Sequence, residues 1–321
     1  MKRVLVTGGH GFVASHLART LLERGDSVTV LDLPPPPLSG LALQGIEAAV
    51  ELAEVDLRDG PGVAAAVETG EFDVVFHLAA QTLVGPAMED PGATFEANVR
   101  GTWHLLEACR RAEVPAVVVA SSDKAYGPRE ELPYREEMRL APASPYEASK
   151  AAADAIALSY RPAFGLPVAV TRFANIYGGG DLNFSRLIPE AVAAVLAGRR
   201  PQIRSDGSPE RDFLYVDDAV AAYLAIESAV GAGGPGAGEA FNAGGERPFS
   251  VAEVLGMLTE VAGAGLDPEF LGTGNPAGEI DRQYVDSAKL RGLTGWRSEV
   301  ELADGLARTL EWYRQHPHLL G

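Results

Sequence analysis

Short apolar runs rich in β-branched residues recur through the first half of the chain, at 4–7, 27–32, 48–56, 73–80, 116–122 and 167–173. Between them lie Ala- and Leu-rich segments of helical period, near 12–24, 91–112 and 146–161. A run that is apolar at nearly every position has both faces buried, and strands of that kind joined through helices form a parallel sheet covered on each side. The expected fold class is therefore α/β, a doubly wound parallel sheet. Past residue 174 the rhythm gives way to Gly-, Pro- and Asn-rich loops with helix-like pieces at 185–198, 217–229, 250–262 and 299–315. This predicts two units, 1–174 and a smaller C-terminal substrate-binding domain at 175–321, with the chain returning to the first around 213–243. A length of 321 residues fits about two domains. GAGGPGAG at 231–238 reads as a flexible connection, and Pro34 to Pro37 as a stiff extended one.

Charge narrows the partners. Lys and Arg number 27 against 44 Asp and Glu, a formal net charge of −17 that disfavours nucleic acid and anionic lipid. Any bound anion then needs a dedicated site. Cys109 is the single cysteine, so no internal disulfide forms; in the helix-like LLEACRRAEV it reads as a buried thiol of a reducing compartment. No apolar run reaches signal-peptide or membrane-spanning length, so a soluble cytoplasmic protein with no membrane contact is expected. No metal site is expected.

Thr7-Gly8-Gly9-His10-Gly11-Phe12-Val13-Ala14 lies between the first strand and the first helix, with Gly8, Gly11 and Ala14 at GxxGxxA spacing. Glycines there allow a tight turn and let backbone N–H groups approach a pyrophosphate at the positive end of the helix. A small residue at Ala14 lets helix and strand pack closely. The second strand ends in Asp32, 18 residues after Ala14, where a carboxylate accepts hydrogen bonds from an adenosine ribose. No Lys or Arg lies between Asp32 and Arg58, so a ribose 2′-phosphate would meet an acid without a local cation. NAD is the expected cofactor, and the sheet is of Rossmann type.

Tyr146 and Lys150 lie four apart in SPYEASKAAADAI, where Ser-Pro opens a helix, so both project from one face. An ammonium beside a phenol favours the phenolate, which makes Tyr146 a candidate general base. Only four of the 27 basic residues are lysines (Lys2, Lys124, Lys150 and Lys289). Where arginine is the default cation, a lysine marks a site that needs a proton able to leave. Lys124 follows the strand 116–120 in Ser121-Ser122-Asp123-Lys124, and strand carboxyl ends face the ligand crevice of an open sheet. Ser122, Asp123 and Lys124 are thus expected to meet Tyr146 over one substrate; the alternative is a solvated Asp–Lys pair on a turn.

These motifs, with Asp56-Leu57, His77-Leu78-Ala79-Ala80, Asn98, Arg172-Phe173-Ala174-Asn175-Ile176-Tyr177-Gly178 and Arg211-Asp212-Phe213-Leu214-Tyr215-Val216-Asp217-Asp218, resemble the extended short-chain dehydrogenases/reductases that act on nucleotide sugars, over residues 2–315. The resemblance implies that Gly8, Gly11, Phe12, Val13, Asp32, Asp56 and Leu57 hold NAD, together with Leu78, Ala79, Ala80, Asn98, Tyr146 and Lys150. Tyr146 would take a proton from a sugar hydroxyl, Ser122 would bond the same oxygen, and Lys150 would hold the nicotinamide ribose. Gln81, Ser122, Asn175, Asn183, Arg186 and Arg211 would meet the nucleotide sugar, Asn175 and Arg211 at its diphosphate. Helices 91–112 and 146–161 resemble those through which relatives form homodimers.

Two reactions fit that resemblance. The 4-epimerases oxidise C4, turn the ketosugar and return the hydride, with no further acid–base pair. Hexose dehydratases also need a base for the C5 proton and an acid for the departing C6 oxygen. Many carry Thr-Asp-Glu where this chain reads Ser122-Asp123-Lys124; the CDP-glucose 4,6-dehydratase branch carries a similar Ser-Asp-Lys, and Gly178-Gly179-Gly180-Asp181 and Arg186-Leu187-Ile188-Pro189 resemble it too. Asp123 is then the acid and Lys124 the base. Their mutual attraction opposes both roles, and a proton shared within the pair resolves the conflict. The resemblance extends to UDP-N-acetylglucosamine 5,6-dehydratases of antibiotic biosynthesis, which leave a 5,6-alkene. A non-catalytic NAD-dependent sensor on the same fold is the third alternative.

Overall fold

The computed structural model describes residues 1–245, 247–263, 265–273 and 280–320. Seven strands form the main sheet: β1 (Arg3–Thr7), β2 (Ser27–Asp32), β3 (Glu51–Glu54), β4 (Val74–His77), β5 (Val117–Ala120), β6 (Val168–Phe173) and β7 (Ala240–Ala243). Their spatial order is β3-β2-β1-β4-β5-β6-β7, parallel throughout. The chain winds outward from β1 to β3, then jumps back to β4 and winds the other way. That reversal opens a crevice at the carboxyl ends of β1 and β4, the usual seat of a dinucleotide.

Period-two alternation fills both faces. Val4, Val6, Phe76 and Val118 enter one core with Leu17 and Leu21 of helix α1 (Phe12–Glu23). Leu5, Val75, Val117 and Val119 enter the other, with Val63 of α2 (Gly60–Gly70) and Leu105 of α3 (Gly101–Arg111). Helix α4 (Pro145–Phe164) packs on β6. Its Ser-Pro start works as expected: Ser144 Oγ accepts the Glu147 N–H at 3.4 Å, and Pro145 occupies the first turn.

Several local expectations change. The helix expected over 91–112 is three pieces, Pro91–Phe95, a π-turn at Glu96–Arg100 and α3. At the break the Asn98 side chain is used elsewhere, and Thr102 Oγ1 donates to the Asn98 carbonyl at 2.6 Å. Helix α2 escapes the apolar pattern because it begins Gly60-Pro61-Gly62, capped by Asp59 on the Gly62 N–H at 3.2 Å. The segment 231–238 is a packed turn rather than a loose connection: Gly231–Gly233 is a 3-10 turn, and the Gly238 N–H donates to Val168 at 2.7 Å.

After Phe173 the chain leaves the main sheet. The strand Asn175–Tyr177 pairs with Phe213–Tyr215, and Glu210–Arg211 lies between Phe249–Ser250 and Arg282–Gln283. Helices α5 (Leu187–Leu196), α7 (Val251–Ala262) and α8 (Leu302–Gln315) enclose a separate core with Tyr177, Val192, Leu255, Leu306 and Tyr313. Between these excursions α6 (Val216–Val230) returns, placing Val220, Tyr223 and Ile226 against Phe76 and Phe173, and β7 closes the edge of the sheet.

Candidate active site

At the β1–α1 loop, Gly8 has φ +75° and an added Cβ would lie 2.7 Å from the Ala79 Cα. A side chain there is strained by conformation and blocked by the segment after β4. Gly11, the residue before α1, carries no side-chain cap, so the first-turn N–H groups are directed at the crevice. Asp32 ends β2 and fixes the loop around it, Oδ2 accepting the His10 N–H at 3.0 Å and Oδ1 that of Leu33 at 2.8 Å. Asp56 is held by Arg58, whose side chain keeps the carboxyl below its ordinary range, and Leu57 packs beneath Gly101. Phe12 and Val13 open α1, and Leu78, Ala79 and Ala80 follow β4 beside Thr7, whose Oγ1 accepts the Ala79 N–H at 3.1 Å. A glycine cradle, an uncapped helix start and a carboxylate at the end of β2 fit a dinucleotide.

His77 shows how firmly this edge is built. Thr102 spends its proton on the Asn98 carbonyl, so His77 Nε2 donates to Thr102 Oγ1 at 2.9 Å, and Nδ1 accepts from Thr7 Oγ1 at 2.8 Å. Burial, aided by the charge of Lys150, pushes the imidazole down to about 3, so it stays neutral. Asn98 ties the crevice together: Oδ1 accepts the Gln81 N–H at 2.7 Å, while Nδ2 donates to the Gln81 carbonyl and to Ser149 Oγ of α4, each at 2.9 Å.

Ser122 follows β5 and caps a 3-10 turn, Asp123–Tyr126. Its hydroxyl donates to Asp123 Oδ1 at 3.1 Å and accepts the Lys124 N–H at 3.2 Å, and it lies close enough to the Tyr146 phenol to favour its ionised form. Tyr146, Ser149 and Lys150 are buried on one face of α4. Tyr146 and Lys150 share one helix face, as their spacing predicts. Burial, with the nearby Asp123 charge, drives the phenol up to about 12, opposed by Ser122 and by Arg186. Lys150 is driven down to about 8 by burial, and its Nζ donates to the Ala120 carbonyl at 2.9 Å.

Asp123 is fully buried beside Lys124, with Nζ 3.3 Å from Oδ1, so the pair is no solvated turn. Asp123 Oδ2 is buried without a hydrogen-bond partner among the described residues. Lys124 Nζ also donates to Asn175 Oδ1 at 2.9 Å, and Asn175 Nδ2 donates to the Asp212 carbonyl at 3.1 Å. The amide given a diphosphate role by resemblance is therefore engaged on the protein at both ends.

The remaining sugar-side candidates have local partners. Arg186 Nη1 reaches Asp181 at 2.9 Å, Asn183 Oδ1 takes the Ser185 N–H and hydroxyl, and Gln81 folds onto the Leu83 backbone. Arg211 Nη1 donates to the Glu210 carbonyl at 2.9 Å. Arg186 lies within electrostatic reach of Tyr146, and Arg211 within reach of Tyr134, a tyrosine that also senses Asp123. Sequence reasoning missed Asp212, whose buried carboxyl takes the Gly245 N–H at 2.7 Å and is raised well above its ordinary range by burial. It also gave no role to Arg172, which forks onto Asp154 at 2.7 and 2.9 Å and reaches Tyr126 of the Asp123–Tyr126 turn at 3.0 Å. An arginine within the apolar strand run VAVTRF was the available signal.

A dinucleotide crevice whose mouth holds a serine, a tyrosine and a lysine defines an NAD-dependent enzyme of hydroxyl–carbonyl chemistry. Residues 4–244 match the model of the NAD dependent epimerase/dehydratase family, and the chain belongs to that family. NAD is its cofactor. The dTDP-glucose 4,6-dehydratase of Streptomyces griseus is 36% identical over 321 residues, 98% of this chain and 94% of that protein. The UDP-glucose 4-epimerase of Mycolicibacterium smegmatis is 36% identical over 326 residues, 97% and 98% of the two chains. Among solved structures, the dTDP-glucose 4,6-dehydratase of Streptomyces venezuelae with NAD bound superposes with a TM-score of 0.88 at 32% identity, covering 98% of each chain. The relatives' names specify glucose nucleotides and include both reactions. Among the described residues no helix is long and apolar enough to cross a membrane.

Proposed function

We propose that the protein is a nucleotide-hexose dehydratase, with Asp123 and Lys124 as its elimination pair. The observation that carries this is Asp123 Oδ2, a fully buried carboxylate oxygen without a hydrogen-bond partner among the described residues, next to a lysine on the same turn. A 4-epimerase needs no such pair, and leaving a buried carboxylate oxygen unsatisfied costs about 1–3 kcal/mol or more. A substrate hydroxyl in that position removes the cost.

NAD, when bound, takes a hydride from the sugar and gives it back. Tyr146, once ionised with Lys150 on the same helix face, accepts the proton of the C4 hydroxyl, and Ser122 holds the same oxygen. Lys124, once neutral, takes the C5 proton made acidic by the C4 ketone, and Asp123 delivers the proton on Oδ2 to the departing C6 oxygen. Residues 1–174 with the returning 213–243 hold the dinucleotide; the rest, with Asn183, Arg186 and Arg211, holds the nucleotide sugar. Exposed Phe95 and Trp103 lie on the 91–112 stretch, and Phe164 at the end of α4, the helices through which a homodimer would form.

The first substrate to test is UDP-N-acetylglucosamine, with hydride return to C4 and a 5,6-alkene product as in tunicamycin-type biosynthesis; dTDP-, UDP- and CDP-glucose follow. Mass spectrometry in D₂O decides. Loss of one water without deuterium gives the alkene; loss of one water with one deuterium at C5 gives a 4-keto-6-deoxy sugar. An unchanged mass with the C4 epimer refutes the dehydratase. Asp123→Asn is expected to stop water loss from whichever sugar reacts.

A further inference from the structure

The three lone-pair and proton choices around Asn175 are fixed by geometry. The Asp212 carbonyl can only accept, and it receives both the Asn175 backbone N–H at 3.2 Å and its Nδ2 at 3.1 Å. Nδ2 must therefore face Asp212, and Oδ1 must face Lys124, whose Nζ lies 2.9 Å away. Asp212 cannot drift. Its carboxyl is clamped by the N–H groups of Gly245 at 2.7 Å and Val285 at 3.4 Å, and its own N–H donates to Gln283 at 3.1 Å.

Resting on the dehydratase reading, we propose that Asn175 is the positioning residue of the elimination base, holding one N–H of Lys124 with a neutral acceptor so that the amine can give up its proton and aim its lone pair at the sugar. A primary amine that donates to Asn175 and to Asp123 has its remaining direction set by those two bonds. An amide oxygen fixes that direction without adding a negative charge. A carboxylate in its place would hold the ammonium form more firmly. The charged and titratable groups around this turn include Asp123, Tyr146 with Arg186 and Glu147, Tyr134 with Arg129 and Arg211, Lys150 on α4, and the buried Asp212 behind the amide. Among the described residues Asn175 is the hydrogen-bond partner of Lys124 on the Asn175–Tyr177 strand, and it is neutral at every pH.

Two variants test this, Asn175→Asp and Asn175→Ser, each checked for unchanged thermal unfolding. Trace acylation of the lysines with acetic anhydride across pH, read by peptide mass spectrometry against exposed Lys289, reports the free amine of Lys124 whether or not a substrate is turned over. Asn175→Asp is expected to lower Lys124 acylation at pH 7 by about tenfold, one pH unit of added ammonium stability. It should also move the pH profile of water loss from UDP-N-acetylglucosamine, or whichever sugar reacts in the assay above, upward by a similar interval. Asn175→Ser, neutral but shorter, should keep the profile and lose rate. Acylation and pH profile both unmoved in Asn175→Asp overturn the proposal, as does a rise in KM alone, which would make Asn175 a diphosphate contact. A wild-type protein that only epimerises C4 removes the elimination role altogether. A wild type that loses water while Asn175→Asp behaves as wild type removes this inference alone.

Discussion

Replacing Asp154 with alanine would strand a charge that the fold has taken out of water. Arg172 and Asp154 form a two-pronged pair at 2.7 and 2.9 Å, with side chains only 5% and 1% exposed. Burial works against the guanidinium, and the bonds to Asp154 more than offset it, raising it above its ordinary value. Nη1 also donates to Tyr126 Oη and to the Glu136 carbonyl, each at 3.0 Å, and Tyr126 Oη donates to Asn242 Oδ1 of β7 at 2.8 Å. Removing one partner of a buried pair costs about 3–5 kcal/mol. At about 2.1 cal/mol/K per residue, the entropy of unfolding for a chain of this length is about 0.7 kcal/mol/K, so Tm should fall by about 4–7 °C. Circular dichroism and tryptophan fluorescence, followed together to test for one transition, measure it. The double variant Arg172→Met with Asp154→Leu should regain about half the loss, because an apolar pair leaves no buried charge. A single variant within about 1 kcal/mol of wild type would refute the assignment of this pair as the anchor behind the catalytic turn.

Two further perturbations follow from the cofactor crevice. Gly8→Ala places a methyl 2.7 Å from the Ala79 Cα at φ +75°, so the loop must yield, and NAD affinity measured by calorimetry should fall about tenfold or more; unchanged affinity would refute the cradle. His77 has a folded value of about 3 against 6.5 unfolded, so the unfolded chain binds the proton first. Its contribution is complete above about pH 6.5 and is lost as pH falls toward 3, with about 2 kcal/mol gone between pH 6.5 and 5. His77→Gln should flatten that part of the stability curve in urea melts at stepped pH, and parallel curves would show that His77 does not carry it.

How much of this was legible depended on whether a residue's role is written in its neighbours along the chain. Val4, Val6, Val117 and Val119 announce buried strands because period and apolarity are local, and Gly8, Gly11 and Asp32 announce a dinucleotide because a strand–turn–helix unit is local too. Cys109, expected to be an inert buried thiol, is fully buried, and burial pushes its thiol up. The pairing of Asp154 with Arg172 spans 18 residues, and that of Lys124 with Asn175 spans 51. The arginine inside VAVTRF flags one partner, but nothing in the local pattern names the other, since a buried charge and a solvated one look alike in sequence. Asp212 was hidden for the same reason. Spacing put Tyr146 and Lys150 on one helix face, but the hydrogen bond of Lys150 to the Ala120 carbonyl at the end of β5 was not legible, because only the sheet brings that carbonyl near.

The path of the chain after Phe173 bears on how such proteins can exchange parts. Asn175–Tyr177 departs, α6 and β7 come back to complete the main sheet, Phe249 onward departs again, and Leu290 and Trp296 return to the core of the main sheet before α8 leaves it. On the domain reading proposed above, the residues that meet the sugar lie in separate stretches, the first two interrupted by residues 216–243, which belong to the other layer. A recombination event with one crossover, at any position, would join a sugar-binding strand from one parent to a supporting helix from another. A working hybrid needs junctions near 174, 215 and 245 at once, so new substrates in this lineage are more readily reached by changing residues in place than by shuffling segments.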